Sequence, residues 1–140
     1  MPLPHFLIVD DDERFAVLVA RKLEPYANCV IALNGDDAVL QFEHYLKEKA
    51  PFQAVFMDIE MPGMDGHEVV RQLRGIEEKY EVDSTKNFKL VMLTAHRDVK
   101  NVSRSFFRGR AEAYIPKEAF PHPGSFLGEL EKVGVLRPSA

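Results

Sequence analysis

The sequence predicts an α/β fold in which helices cover a parallel β-sheet. Five short apolar runs alternate along the 140 residues with five stretches whose apolar residues recur at helical spacing, and this alternation is typical of such a fold. Acidic residues directly follow two of the apolar runs, and open α/β sheets place their binding sites at the carboxyl ends of their strands. From the length, we expect residues 1–140 to form a single domain.

The five predicted strands are short apolar runs bounded by turn residues, a pattern typical of buried strands. They span residues 6–10, 28–33, 53–58, 88–94 and 112–116. The connection from Glu77 to Phe88 is longer and more polar than a tight turn requires. We expect a surface extension of the third helix there, followed by a solvated loop without a binding function.

The five predicted helices each carry apolar residues on one face, at the spacing of an amphipathic helix. They span residues 13–24, 36–48, 66–79, 98–108 and 124–134. The residues expected to face the core from the first two helices are Phe15, Leu18, Val19, Leu23, Val39, Leu40, Phe42 and Leu46. Five strand–helix units of this size suit a flavodoxin-like, doubly wound sheet with the strand order 2-1-3-4-5.

Composition and charge argue against several partners and locations. The formal net charge of −4 gives no reason to expect nucleic acid or a membrane as a direct partner, and no apolar stretch approaches the length of a membrane span. The first residues lack the basic start and long apolar region of a signal peptide. The single cysteine, Cys29, has no partner for an internal disulfide, so a reducing cytoplasm is the expected location.

Asp58 and the loop after it form the most informative segment of the chain. Asp58 ends the third apolar run and precedes a loop containing proline and glycine, while Asp10, Asp11 and Asp12 follow the first run. If both strands end at the same edge of the sheet, three or four carboxylates converge there. Like charges so close raise each other's pKa unless a cation intervenes. Mg²⁺ fits, because it accepts one or two carboxylates together with water and a phosphate oxygen.

The segment from Phe56 to Gly66 resembles the phosphoacceptor signature of response-regulator receiver domains. The resemblance continues in order at four further places and spans roughly residues 5–133. These places hold the acidic pair Asp10 and Asp11, the hydroxyl of Thr94, the aromatic Tyr114 and the lysine Lys117. The resemblance implies a switch that accepts a phosphoryl group from a histidine kinase or a phosphotransfer protein in a two-component phosphorelay.

The resemblance also implies the chemical roles of the site residues. Asp58 is expected to be the phosphoacceptor, with Thr94 and Lys117 contacting the phosphoryl oxygens, since phosphoryl transfer depends mostly on positioning and charge neutralisation. The groups expected to bind Mg²⁺ are Asp10, Asp11, Asp58 and the main-chain carbonyl of Glu60. Such a regulator catalyses only its own phosphorylation and dephosphorylation.

Other residues are expected to control the lifetime of the phosphorylated form or to transmit its signal. Thr94 and Tyr114, expected at neighbouring strand ends, form the switch. Glu60 and His96 each lie two residues beyond a reacting group, at positions that vary in the family and set the rate of dephosphorylation. Two independent, solvated side chains are the alternative for this pair. Asp12, the third acid of its run, is expected to cap the first helix.

The predicted fourth helix carries a basic stripe formed by Lys100, Arg104 and Arg108. A solvated face is the ordinary explanation of such a stripe. In receivers, however, the surface formed by the fourth helix, fifth strand and fifth helix binds the downstream protein target, and we expect the target there. The formation of a dimer on phosphorylation is left as an open alternative. The chain ends soon after the fifth predicted helix, so we expect a stand-alone regulator without an output domain, with an excised receiver as the alternative.

Two positions depart from the family pattern. Many receivers follow the lysine with a proline joined by a cis bond, whereas this chain reads Pro116-Lys117-Glu118, so the geometry of the Lys117–Glu118 bond stays open. Arg110 stands where a glycine usually ends the fourth helix. Gly109 is expected to take the left-handed cap position in its place.

Two other classes of function remain as alternatives. The first is an Mg²⁺-dependent phosphohydrolase that acts through an aspartyl phosphate, which turnover of a generic phosphoester would indicate. The second is an unphosphorylated receiver that serves only as a protein-binding module. Failure of acetyl phosphate and Mg²⁺ to modify the protein would indicate that class.

Overall fold

A computed structural model describes residues 2–61, 63–94, 111–119 and 123–136 of the chain. The strands in these residues are β1 His5–Val9, β2 Asn28–Ala32, β3 Phe52–Asp58, β4 Glu60–Met61, β5 Met64–Asp65, β6 Lys89–Thr94 and β7 Ala113–Pro116. Five of them form one parallel sheet in the order β2-β1-β3-β6-β7. This is the predicted order 2-1-3-4-5, and the predicted fold class is confirmed.

The short strands β4 and β5 form an antiparallel hairpin that the sequence did not predict. Glu60 pairs with Asp65 and Met61 pairs with Met64, so the chain folds back on itself directly after Asp58. Gly63, in the turn of the hairpin, has a φ of 76°, a left-handed conformation that glycine adopts without steric cost. The hairpin therefore returns the chain to the edge of the sheet before the next helix begins.

The helices in the described residues are α1 Glu13–Leu23, α2 Gly35–Lys47, α3 Gly66–Lys79 and α4 Pro123–Lys132. The predicted cap of the first helix is confirmed, because the Asp12 carboxylate accepts the Phe15 N–H at 3.3 Å. The predicted helix at residues 98–108, with its basic stripe and the glycine cap after it, lies outside the described residues. Among the described residues, no helix combines the length and apolar character needed to cross a membrane.

Apolar residues fill both faces of the sheet, as a doubly wound fold requires. On one face, strand residues such as Ile8 and Phe56 pack with α1 and α4; on the other, residues such as Val9 and Met57 pack with α2 and α3. Alternate residues of a strand point to opposite faces. Because both faces of the central strands are buried, these strands are continuous apolar runs, and for this reason they could be predicted from the sequence.

Two leucines lie outside the core, contrary to the prediction for their helices. Leu18 is 40% exposed and Leu40 is 69% exposed. The buried residues of α1 include Ala16 and Val19, and Leu18 lies two positions after Ala16, about 200° further around the helix at 3.6 residues per turn, so it points away from the stripe that faces the sheet. Leu40 likewise lies two positions after the buried Ala38. The buried stripes of α1 and α2 include the alanines Ala16 and Ala38. The sequence prediction considered only large apolar residues and therefore included Leu18 and Leu40 in these stripes.

A buried acid ties together the two ends of the connection between α3 and β6. Glu77, only 5% exposed, accepts the Phe88 N–H at 2.8 Å and the Arg74 guanidinium at 2.9 Å. Arg74 also donates to the Phe88 carbonyl at 3.0 Å and lies 3.7 Å from the centre of its ring. The intervening polar residues, which include a 3₁₀ turn at Ser84–Lys86, are thus a surface connection with fixed ends.

Candidate functional site

The register of the parallel strands brings the predicted site residues to one edge of the sheet. Val9 pairs with Met57, so Asp10 and Asp58 follow in the same row. Asp58 in turn pairs with Leu93, the residue before Thr94. On the outer strand, Thr94 pairs with Pro116, and Lys117 follows it. Four predicted site residues thus meet at the carboxyl ends of β1, β3, β6 and β7, the edge where open α/β sheets carry their sites.

Three carboxylates converge at this edge. Asp10, Asp11 and Asp58 each offer an oxygen, and the three oxygens lie within 4.8 Å of one another. Asp10 is fully buried and Asp58 is 3% exposed, whereas Asp11 is exposed. Buried like charges at this distance are costly without a cation. A divalent metal with oxygen ligands fits the set, and one solvent-facing carboxylate leaves room for further ligands.

Lys117 supplies positive charge beside these acids. Its ammonium lies 2.7 Å from Asp10 Oδ2 and 3.6 Å from Asp58 Oδ2. Burial alone would lower the pKa of Lys117, but the hydrogen bond to Asp10 and the charges of Asp58 and Asp10 outweigh burial and raise it. Lys117 is therefore a permanent cation at neutral pH. Every peptide bond among the described residues is trans, including the Lys117–Glu118 bond that the sequence left open.

The Asp58 carboxyl accepts a hydrogen bond from one backbone N–H, while its surroundings destabilise its ionised form. Its Oδ1 accepts the Glu60 N–H at 3.2 Å. Burial and the charge of Asp10 raise the pKa of Asp58 to about 7, against the lowering effect of Lys117 and the Glu60 N–H. Without a further cation, Asp58 is thus about half ionised near neutral pH. Added positive charge at the cluster would favour the ionised, nucleophilic form.

Gly66 makes room for the backbone of Asp58. A Cβ atom at this position would lie 2.5 Å from the Asp58 carbonyl oxygen and 3.2 Å from the Ile59 Cα. The Gly66 N–H also donates to the Ile59 carbonyl at 3.3 Å. From the sequence, Gly66 was identified only as the last residue of the receiver-like segment, and this structural role was not predicted. The available signal was a glycine at the first position of a helix, directly after its capping aspartate.

Thr94 and Tyr114 lie on the same face of the sheet but not both at strand ends. Thr94 is fully buried and is the last residue of β6. Tyr114 is half-buried and pairs with Met92, two residues before Thr94. The prediction of neighbouring strand ends was wrong for Tyr114, because β7 continues to Pro116. Of the remaining predicted residues, Glu60 opens the hairpin, and His96 lies outside the described residues.

An open concavity of about 840 Å³ lies next to the carboxylate cluster. Its lining includes Asp11 and Glu60, together with Asp65 and His67 from the junction of the hairpin and α3. His67, which lies at the mouth of the site, was not predicted from the sequence. Of the three clustered acids, Asp11 lines this concavity, so the exposed side of the cluster faces the opening.

The chain matches the family described as response regulator receiver domain over residues 6–122. It is 32% identical over 114 residues to the sensor protein GacS of Pseudomonas syringae pv. syringae, a match that covers 81% of this chain and 12% of GacS. It is 42% identical over 74 residues to histidine kinase 3 of Arabidopsis thaliana, covering 52% of this chain and 7% of the kinase. The chain thus spans a small part of these relatives' length.

The fold is shared with solved structures of receiver domains. A CheY-like response regulator receiver domain protein from Methanospirillum hungatei JF-1 has a TM-score of 0.70 and 25% identity, with 94% of both chains covered. The receiver domain of the histidine kinase CKI1 from Arabidopsis thaliana, in a complex with Mg²⁺ and BeF₃⁻, has a TM-score of 0.71 and 22% identity. That alignment covers 90% of this chain and 89% of the CKI1 domain.

Proposed function

The chain belongs to the response regulator receiver domain family, as its motifs predicted, and we propose that it receives a phosphoryl group on Asp58. The observation that carries this proposal is the convergence of the Asp10, Asp11 and Asp58 carboxylates with the Lys117 ammonium at one edge of the sheet. The donor is a histidine kinase or a phosphotransfer protein of a two-component phosphorelay. Beyond its own phosphorylation and dephosphorylation, the domain catalyses no reaction.

Three acids and one carbonyl form the proposed metal site. The carboxylates of Asp10, Asp11 and Asp58, with the main-chain carbonyl of Glu60, would hold Mg²⁺. When bound, this cation neutralises charge on the transferring phosphoryl group. Asp12 takes no part, because its carboxylate caps α1.

The reaction is an attack by the ionised Asp58 carboxylate on the phosphorus of the donor. A bond forms between a carboxylate oxygen and phosphorus, and the bond from phosphorus to the donor's imidazole nitrogen breaks, leaving an acyl phosphate on Asp58. The Lys117 ammonium, already 3.6 Å from Asp58 Oδ2, pairs with a phosphoryl oxygen of the product. Thr94, buried in the adjacent strand, supplies a hydroxyl as a second donor, and such charge-assisted bonds are strong.

The signal then passes from Thr94 to the surface. Movement of Thr94 toward the phosphoryl group frees space on the sheet face that it shares with Tyr114, which can turn inward. The output surface is the one formed by β7, α4 and the segment predicted as the fourth helix, where the downstream protein binds. The phosphoryl group shifts this equilibrium only by its different affinity for the two states.

The exposed face of α1 is the proposed docking surface for the donor. This helix begins directly after the acidic turn, so its surface borders the site. Leu18 is 40% exposed, and Arg14 and Arg21 lie beside it around a shallow surface pocket. Leu18→Asp should slow transfer from a purified phosphotransfer domain while leaving modification by acetyl phosphate unchanged. Equal slowing with both donors would contradict this assignment.

Glu60 and His96 are the proposed determinants of the lifetime of phospho-Asp58. The Glu60 side chain lines the opening of the site, where an attacking water must enter. Replacement of either residue by alanine should change the decay rate of the phosphorylated form more than its rate of formation. Unchanged decay in both variants would refute the assignment.

Acetyl phosphate provides the direct test of the proposed function. With Mg²⁺, the wild type should gain one phosphoryl group by intact-protein mass spectrometry, and Asp58→Asn should gain none. Asp36→Asn, which changes an exposed aspartate at the start of α2, is the matched control and should be modified like the wild type. Modification of Asp58→Asn to the same extent would contradict the assignment. Continuous turnover of p-nitrophenyl phosphate would instead favour a phosphohydrolase.

A further inference from the structure

We propose that Phe15 is a positioning residue for Lys117, whose ammonium it holds at the phosphoryl site through a cation–π contact. The Lys117 Nζ lies 4.6 Å from the centre of the Phe15 ring, within the range over which an aromatic face attracts a cation. The inference rests on the proposed phosphorylation of Asp58, because it assigns a residue to that same site. Neither charge nor hydrogen bonding is available to a phenylalanine side chain, so the contact uses only the ring.

Among the described residues, two carboxylates and one aromatic ring lie around the Lys117 ammonium. Asp10 Oδ2 lies at 2.7 Å and Asp58 Oδ2 at 3.6 Å, and the Phe15 ring is the third contact. Lysine has a flexible stem of four carbons and a compact charge, so contacts at the ammonium decide where the charge rests. The chain also lacks the proline that follows this lysine in many receivers, because Glu118 stands there.

The turn between β1 and α1 fixes the Phe15 ring and the Asp10 carboxylate together. Asp10 Oδ1 accepts the Asp12 N–H at 2.9 Å, and Asp12 in turn accepts the Phe15 N–H at 3.3 Å. The ring packs against the core cluster between the sheet, α1 and α4. The same short turn thus positions two of these contacts of Lys117, the Phe15 ring and the Asp10 carboxylate.

An aromatic ring suits this position better than the alternatives. A third carboxylate would compete with the phosphoryl oxygens for the ammonium, and an aliphatic side chain would offer no electrostatic attraction. The negative face of a ring attracts a cation without carrying a net charge. Lys117 can therefore exchange a carboxylate for a phosphoryl oxygen while its contact with Phe15 persists.

Beryllofluoride, a phosphoryl mimic, tests the proposal in the presence of Mg²⁺. Phe15→Leu should weaken beryllofluoride binding roughly fivefold, the loss expected for a partly buried cation–π contact, while Mg²⁺ binding alone is unchanged. Phe15→Tyr, which keeps the ring, should bind like the wild type. Phe15→Met serves as a second ring-free variant if Phe15→Leu fails to fold.

A double-mutant cycle separates positioning of the lysine from a general packing role. In a Lys117→Gln background, Phe15→Leu should cause no further loss of beryllofluoride affinity. The Lys117 Hε protons should also show an upfield ring-current shift by NMR in the wild type and Phe15→Tyr, and lose it in Phe15→Leu. An equal loss of affinity in both backgrounds, or an unchanged Hε shift, overturns the role of Phe15. A wild type that binds no beryllofluoride overturns the proposed function, and this inference with it.

Discussion

Replacement of Asp58 by asparagine should remove the proposed nucleophile and stabilise the metal-free protein. The carboxyl is 3% exposed, and burial together with the charge of Asp10 raises its pKa from 3.8 to about 7. Between about pH 4 and pH 7, the folded state therefore keeps a proton on Asp58 that the unfolded state has already released. By linkage, the contribution of Asp58 to stability falls as the pH rises from about 4 to about 7, and is constant above that.

The size of the effect follows from the pKa. A shift from 3.8 to about 7, at 1.36 kcal/mol per unit, gives a ceiling of about 4 kcal/mol for the cost of ionised Asp58 above pH 7. This figure already includes the attraction of the Lys117 ammonium, 3.6 Å away, because that attraction lowers the pKa of Asp58 against the effect of burial. The backbone donor from Glu60 can still be accepted by the amide oxygen.

Urea denaturation between pH 4 and pH 9, without divalent metal, measures this difference. The free energy of unfolding of Asp58→Asn should exceed that of the wild type by an amount that grows up to about pH 7 and then stays constant. Addition of Mg²⁺ should reduce the difference, since the cation stabilises the ionised cluster of the wild type. Asp36→Asn, the exposed control, should not stabilise the protein. The reasoning fails if Asp58→Asn is less stable than the wild type throughout this range.

Three further predictions concern the metal site, the backbone of the site and the switch. Asp11→Ala should greatly weaken Mg²⁺ binding, measured by calorimetry, and block phosphorylation. Asp12→Ala should lower the free energy of unfolding by about 1 kcal/mol, because a helix cap is lost, and should leave phosphorylation intact. An equal loss of Mg²⁺ binding in Asp11→Ala and Asp12→Ala would contradict the choice of Asp11 as a metal ligand. Gly66→Ala, whose methyl group would lie 2.5 Å from the nucleophile's carbonyl oxygen, should slow modification by acetyl phosphate. Gly75→Ala, with open space around its Cβ, should not slow it and should stabilise α3 by about 0.5–1 kcal/mol. Thr94→Ala should accept phosphate, yet NMR shifts of β7 should respond weakly to beryllofluoride; a response equal to that of the wild type would refute the coupling.

The sheet and the position of the site followed from the sequence because parallel strands carry a strong and local signal. Strands buried on both faces are continuous apolar runs, and their carboxyl ends share one edge. The acids after Val9 and Met57 therefore had to converge once both runs were identified as strands. The role of Asp12 as a cap followed from its position before a helical pattern, and the structure confirms it.

The features that the sequence did not reveal depend on contacts at the level of single residues. The two-residue strands of the β4–β5 hairpin are too short to show a period. The exposure of Leu40 depends on which stripe of α2 meets the sheet, and small alanines decide that stripe. The contact of Phe15 with Lys117 joins distant parts of the chain, and no local pattern encodes it.

The same electrostatic arrangement that makes Asp58 costly to bury makes it responsive to ligands. Asp10, Asp11 and Asp58 lie close together and only one ammonium, that of Lys117, contacts Asp10 and Asp58 in the described part of the chain. A cation that binds the folded site but not the unfolded chain stabilises the fold by RT ln(1 + c/Kd), where c is the free cation concentration, and relief of the repulsion between the carboxylates strengthens its binding. Positive charge then favours the ionised form of Asp58, which is the form that attacks the donor in the proposed reaction. In the proposed reaction the ionised, metal-bound form is the reactive one, so the metal-free fold carries the cost of a charge arrangement that this reaction requires.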